Sequence, residues 1–182
     1  DGTTAVVSCT LDPTGRCDVT TGVLTVGAHT MRASYAGDLN HAAVTGGNAA
    51  QTITAATTST AVTANTTTAA FGSPIVFSIT VTAPGGTTPT GSVLVSDGTT
   101  GIGSCTLVSA RCDFTYAGLT GGAHTIIAGY PGDANHAASS GQTVVTISAS
   151  ATITTVTSSL PTSTWGQPVT FSVAVTSGDG IA

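Results

Sequence analysis

Four cysteines, four histidines and a twice-written Asp-x-Asn-His run are the residues of this 182-residue sequence whose types and spacing could do chemistry. The cysteines fall in two close pairs, Cys9 with Cys17 and Cys105 with Cys112. In each pair an apolar residue follows two positions after the first cysteine (Leu11, Leu107) and two after the second (Val19, Phe114). That alternation sets one cysteine opposite the other across a β-hairpin, at a separation a disulfide can bridge. Metal ligation is the competing reading, but there is no Cys-x-x-Cys and no histidine beside either pair. Two disulfides imply an oxidising compartment. Their short loops limit each to about 2–3 kcal/mol by loop closure.

The histidines are also paired: His29 with His41, and His124 with His136. Twelve residues apart along a strand and its following loop, the members of a pair belong at opposite ends of one unit. A site within a unit therefore does not follow, and a structural role is the expectation; a metal held between successive units is the alternative. Asp38 with Asn40, and Asp133 with Asn135, have the spacing of hard-cation ligands. The remainder of a calcium loop is missing, and Asx residues are routine in tight turns. No Ser-His-Asp arrangement is specified, so no catalytic residue, no resident metal and no cofactor is expected, and the chain does not read as an enzyme.

The elements that must position these residues follow from composition and repetition. Charged residues are 6% of the chain, with neither Lys nor Glu, while hydrophobic residues are 40%. Thr, Val and Ile suit a pleated, half-buried surface, and no segment keeps a helical period, so all-β is the expected class. A net charge of -5 excludes a nucleic-acid footprint, and no apolar run is long enough to span a membrane. Asn65-Thr66-Thr67 is formally a glycosylation acceptor.

Slid upon itself, the sequence matches at a shift of about 95. "GAHTMRASYAGDLNHAA" at 27 is answered by "GAHTIIAGYPGDANHAA" at 122, and "AAFGSPIVFSITVTAPGG" at 69 by "STWGQPVTFSVAVTSGDG" at 163. The frame implies residues 54–148 as one complete repeat, 1–53 as the C-terminal part of a preceding one and 149–182 as the N-terminal part of the next. Ile75, Phe77, Ile79 and Val81 share one face of a strand, repeated by Val169, Phe171, Val173 and Val175. Arg32 should face water, which turns Met31, Ala33 and Tyr35 inward with their counterparts Ile126, Ala128 and Tyr130. Phe77, Tyr130 and Trp165 take core-type positions. Turn signals at short intervals give about seven antiparallel strands per period of about 95 residues, the pattern of a two-sheet sandwich.

The stretch "FGSPIVFSITVTAPGGTTPTGSVLVSDG" followed by "GAHTIIAGYPGDANHAAS" resembles the bacterial Ig-like repeats found in tandem on large surface and secreted proteins. The resemblance implies tandem Ig-like β-sandwiches, commonly stalks and spacers and sometimes adhesins; the paired cysteines depart from its usual pattern. It places the loop holding Asp38, Asn40, His41 and its copy Asp133, Asn135, His136 between strands F and G. The preceding unit attaches at that end, so these six residues are the expected inter-repeat junction. The function implied is a structural segment of an extracellular bacterial fibre, stalk or filament at the cell surface. Its partners would be neighbouring Ig-like repeats of the same or an identical chain, with no nucleic acid and no membrane span. An adhesin-type module recognising a glycan or host protein is the alternative, disfavoured by the 4% aromatic content.

Overall fold

The computed structural model describes residues 4–178, an all-β arrangement with a single 3-10 turn at Pro84–Gly86. No helix among these residues is long and apolar enough to cross a membrane. Residues 4–26 carry no strand. A hairpin follows, β1 (Gly27–Tyr35) with β2 (Val44–Ile53). A sandwich of eight strands comes next, and a second hairpin closes the described chain: β11 (Thr152–Ser158) with β12 (Phe171–Ser177).

The sandwich pairs β3 (Ser59–Ala64), β5 (Ile75–Thr82) and β8 (Arg111–Tyr116) in one sheet. The other sheet runs in the order β4 (Thr68–Ala70), β10 (Ser139–Ser148), β9 (Gly122–Tyr130), β6 (Ser92–Asp97), β7 (Thr100–Thr106). Eight strands stand where about seven are expected, because the first strand is broken at Asn65–Thr67 and divides itself between the sheets. Asn65 makes the break: its amide donates to the Val76 carbonyl, and its Oδ1 accepts from the Val76 amide at 3.0 Å. β4 then joins the other sheet by pairing parallel to β10.

The period-two pattern of β5 appears directly as burial: Ile75, Phe77, Ile79 and Val81 lie at 0–1% exposure. They meet Val93 and Val95 from β6, Ile126, Ala128 and Tyr130 from β9, and Val145 and Ile147 from β10. Each large side chain so buried contributes about 1.5–3 kcal/mol of transfer free energy. One margin of the sandwich is tied by hydroxyls rather than by a ladder. Ser139 Oγ lies 2.6 Å from Thr58 Oγ1 and 2.7 Å from Thr60 Oγ1. β3 and β10 approach so closely there that a Cβ on Gly141 would collide with the Thr60 carbonyl.

The flanking hairpins copy the central registers without copying the burial. Thr60 faces Val81 in the sandwich as Thr154 faces Val175 in the second hairpin, and Val62 faces Ile79 as Val156 faces Val173. Trp165, expected in a core, is instead fully exposed, and Phe171 is 65% exposed where Phe77 is 0%. Met31 and Tyr35 are half-buried, while Ala33 is exposed. The reason is geometric: alternation selects a face, but burial needs a second sheet over that face, and neither hairpin has one among the described residues.

Candidate functional site

Both cysteine pairs are joined as disulfides, with Cα–Cα separations of 6.1 Å for Cys9–Cys17 and 5.9 Å for Cys105–Cys112. Val108 and Arg111 pair antiparallel through two backbone hydrogen bonds, so the chain between Cys105 and Cys112 makes the expected hairpin turn, but the strands it joins part into different sheets. Cys105 lies on β7 and Cys112 on β8, which are consecutive in sequence but belong to different sheets. Leu107–Ala110 carries the chain from one sheet to the other, with Ser109 and Ala110 both at positive φ. β7 and β8 are edge strands on the same margin, and the disulfide staples the sheets just beyond the single Val108–Arg111 pair. Cys9 and Cys17 flank a turn outside any strand. There Asp12 Oδ1 accepts from the Thr14 amide, the Thr14 hydroxyl and the Arg16 amide at 2.7–2.9 Å.

The Asp-x-Asn-His loop is built around one carboxylate. Gly132 turns the chain at φ 93°, a conformation that favours glycine, and a Cβ there would press on the His136 carbonyl at 2.7 Å. Asp133 Oδ1 then accepts from the Asn135 amide, the His136 amide and His136 Nδ1 at 2.7–2.9 Å. Its Oδ2 accepts from the Thr90 amide and hydroxyl, both at 2.9 Å. Burial raises the Asp133 pKa, but the bonds from Asn135, Thr90 and His136 outweigh it and hold the carboxyl well below the usual carboxylate range. His136 is 6% exposed, and its Nε2 lies 3.0 Å from the Thr87 hydroxyl.

This loop also grips the segment leading into the sandwich. The Ala56 amide donates to the Asn135 carbonyl and the Ala137 amide donates to the Ala56 carbonyl, each at 2.8 Å. Ala56 lies three residues beyond Ile53, where β2 ends. Asp133, Asn135 and His136 are therefore brought together with Thr87, Thr90 and Ala56 at the end where the first hairpin's chain comes in. The threonines could not be read from sequence, since threonine is everywhere in it.

In the first hairpin, Asp38, Asn40 and His41 form the same turn without those neighbours. Asp38 Oδ1 accepts from the Asn40 amide, the His41 amide and His41 Nδ1, all at 2.8 Å. Its Oδ2 accepts from the Tyr35 hydroxyl at 2.8 Å, where Thr90 serves in the sandwich. The Tyr35 bond, those from Asn40 and His41, lower the Asp38 pKa even though the side chain is 52% exposed. Tyr130, the counterpart of Tyr35, has its hydroxyl buried without a hydrogen bond among the described residues. The turn is thus a local property of Gly-Asp-x-Asn-His. In both copies the carboxylate oxygens face N–H and O–H donors, and no cluster of three potential metal ligands occurs among the described residues.

At the opposite end of β9 lies a pair that sequence reasoning missed. His124 Nδ1 lies 2.6 Å from Asp97 Oδ2, and its Nε2 lies 2.8 Å from the Thr120 carbonyl oxygen. The hydrogen bond to Asp97 raises the His124 pKa above 6.5, burial works against it, and the Thr120 carbonyl raises it further. Asp97 sits in the "SDGTTG" turn; the signal available was that this turn and the histidine both recur in the repeat.

Residues 62–148 match the sequence model of the bacterial Ig-like domain (group 3). Among solved structures the chain is similar to the Clostridium thermocellum CbhA fibronectin(III)-like modules, at 15% identity and a TM-score of 0.42. That match covers 68% of this chain and 64% of the other, just under two thirds of the solved chain's length. No curated protein matches the sequence.

Proposed function

Residues 62–148 carry a bacterial Ig-like domain, and from that premise we propose that the chain is a structural segment of an extracellular fibre, stalk or filament built by end-to-end stacking of such units. One observation carries the reading: the loop at the incoming end is spent on gripping the polypeptide. Asn135 and Ala137 hold Ala56 three residues after β2 ends at Ile53, while Asp133 and His136 hold Thr90 and Thr87. A linker pinned that soon after a strand leaves little freedom between neighbours, which suits a spacer.

The disulfides and the surface setting common to bacterial Ig-like domains support an extracellular location. The chain reads as non-catalytic scaffold, since Asp38 with His41 and Asp133 with His136 are committed to hydrogen bonds inside turns. Its partners are neighbouring Ig-like repeats.

The test is length scaling. Polypeptides of two, four and six complete repeats, measured by small-angle scattering, should lengthen by about 30–40 Å per added unit, the span of a strand. Growth with the square root of unit number would mean freely jointed units and would sink the spacer reading. Specific retention of the 182-residue chain on a glycan array would favour an adhesin instead.

A further inference from the structure

We propose that His124 is a proton-held latch that stiffens the end of the sandwich from which the chain leaves toward β11. Both ring nitrogens face oxygen acceptors, the Asp97 carboxylate at 2.6 Å and the Thr120 carbonyl at 2.8 Å. A neutral imidazole carries one N–H and can donate to only one of them; the imidazolium donates to both. The ring is 11% exposed, so water is poorly placed to replace a lost bond. The protonated form is therefore the one this pocket fits, in agreement with the upward direction of its pKa.

The two bonds join three pieces of chain that otherwise touch this end separately. Asp97 ends β6 and opens the turn to β7, Thr120 lies in the loop after β8, and His124 is at the start of β9. His124 pairs with Val145 of β10, and Gly122 pairs with Ile147, one residue before that strand ends at Ser148. β11 starts at Thr152, so the latch lies beside the last turn of chain before the next hairpin. Asp97 is the charged group facing His124. The others in the sandwich lie elsewhere: Arg111 and Asp113 on β8 of the opposite sheet, Asp133 and His136 at the far end of β9.

A histidine whose folded-state pKa is raised contributes stability that is complete below its unfolded value and lost as pH rises through the folded one. Loss of the proton frees either the Asp97 turn or the Thr120 loop, and the outgoing end loosens in weakly alkaline conditions. His124 acts here as a positioning residue. The latch is a property of one sandwich; only its mechanical consequence rests on the stalk reading.

The experiment is an NMR titration of the 182-residue chain and its Asp97→Asn variant, with amide exchange followed at each pH. The His124 ring should titrate above 6.5, and Asp97→Asn should lower its midpoint. The Gly98 amide, bonded to the Thr125 carbonyl at 2.8 Å, should lose protection with the same midpoint. A midpoint at or below the ordinary histidine value, or Gly98 protection indifferent to it, overturns the latch. Should Asp97→Asn fail to fold, His124→Gln serves: it cannot titrate, so Gly98 protection must become independent of pH after correction for intrinsic exchange, and a persistent step overturns the proposal. The readout needs no neighbouring unit, so its failure leaves length scaling untouched, and the reverse holds as well.

Discussion

The second hairpin and the β3–β5 pair of the sandwich set corresponding apolar residues in the same register and have opposite fates. Phe77, Ile79 and Val81 are sealed, whereas Phe171, Val173 and Val175 are 52–65% exposed. Local pairing is therefore not what makes the sandwich stable. The hairpin geometry arises from alternation and turn chemistry alone, while the free energy comes from the sheet laid over it. The loops show the complement of this. Around Asp38 and Asp133 the turn is equally well formed, yet only at Asp133 does it hold other elements together.

The largest break in this comparison is expected at the paired phenylalanines. Phe77→Ala should destabilise the cooperative unfolding of the 182-residue chain by about 3–5 kcal/mol. Phe171→Ala should move it by no more than about 0.5 kcal/mol. Equal effects in chemical denaturation would show that the second hairpin is covered in solution. Next comes the carboxylate. Asp133→Ala leaves the Thr90 amide and the buried His136 without an acceptor and should cost about 2–3 kcal/mol, while Asp38→Ala should leave the same transition in place. Because the Asp133 pKa is depressed, its contribution is complete above the ordinary carboxylate range and is lost only as pH falls through the lowered value. An acid titration of the variant should therefore converge on the parent at very low pH. The finest distinction is between two glycines. Gly141→Ala must push β3 away from β10 and should cost about 1–3 kcal/mol. Gly46→Ala, with nothing within 4 Å of the added carbon, should be neutral in thermal unfolding.

The β5 face was legible in sequence because a period-two strand declares its buried side through its own residues. The glycine-led turn was legible for the same reason: its donors and acceptor lie within a few positions of one another. Cys105 and Cys112 were paired correctly about a hairpin turn, but spacing cannot say whether the strands beyond that turn share a sheet. Trp165 was misplaced because an apolar residue in a repeat inherits a core position only where the opposite layer is present. Asp97 and His124 stand 27 residues apart, brought together by the β6–β9 pairing, and no local pattern encodes that contact. The one-residue bulge between Arg32 and Ala33 is legible afterwards in "TGGN", where Gly47 at φ 70° is the extra residue beside Gly46.

The Cys105–Cys112 bond has a consequence for the order in which the sandwich comes apart. Of its two margins, one is a covalent seam between β7 and β8, and the other is the hydroxyl contact of β3 with β10 together with the short β4 pairing. Only the second can unzip, so a pulled or heated domain peels from its first strand inward, and the two layers stay tethered at the far side like a book opened from its fore-edge. The seven peptide steps between the cysteines also never join the extended chain. The unravelled sandwich thus comes up short by about 20 Å of contour, and reduction restores that length.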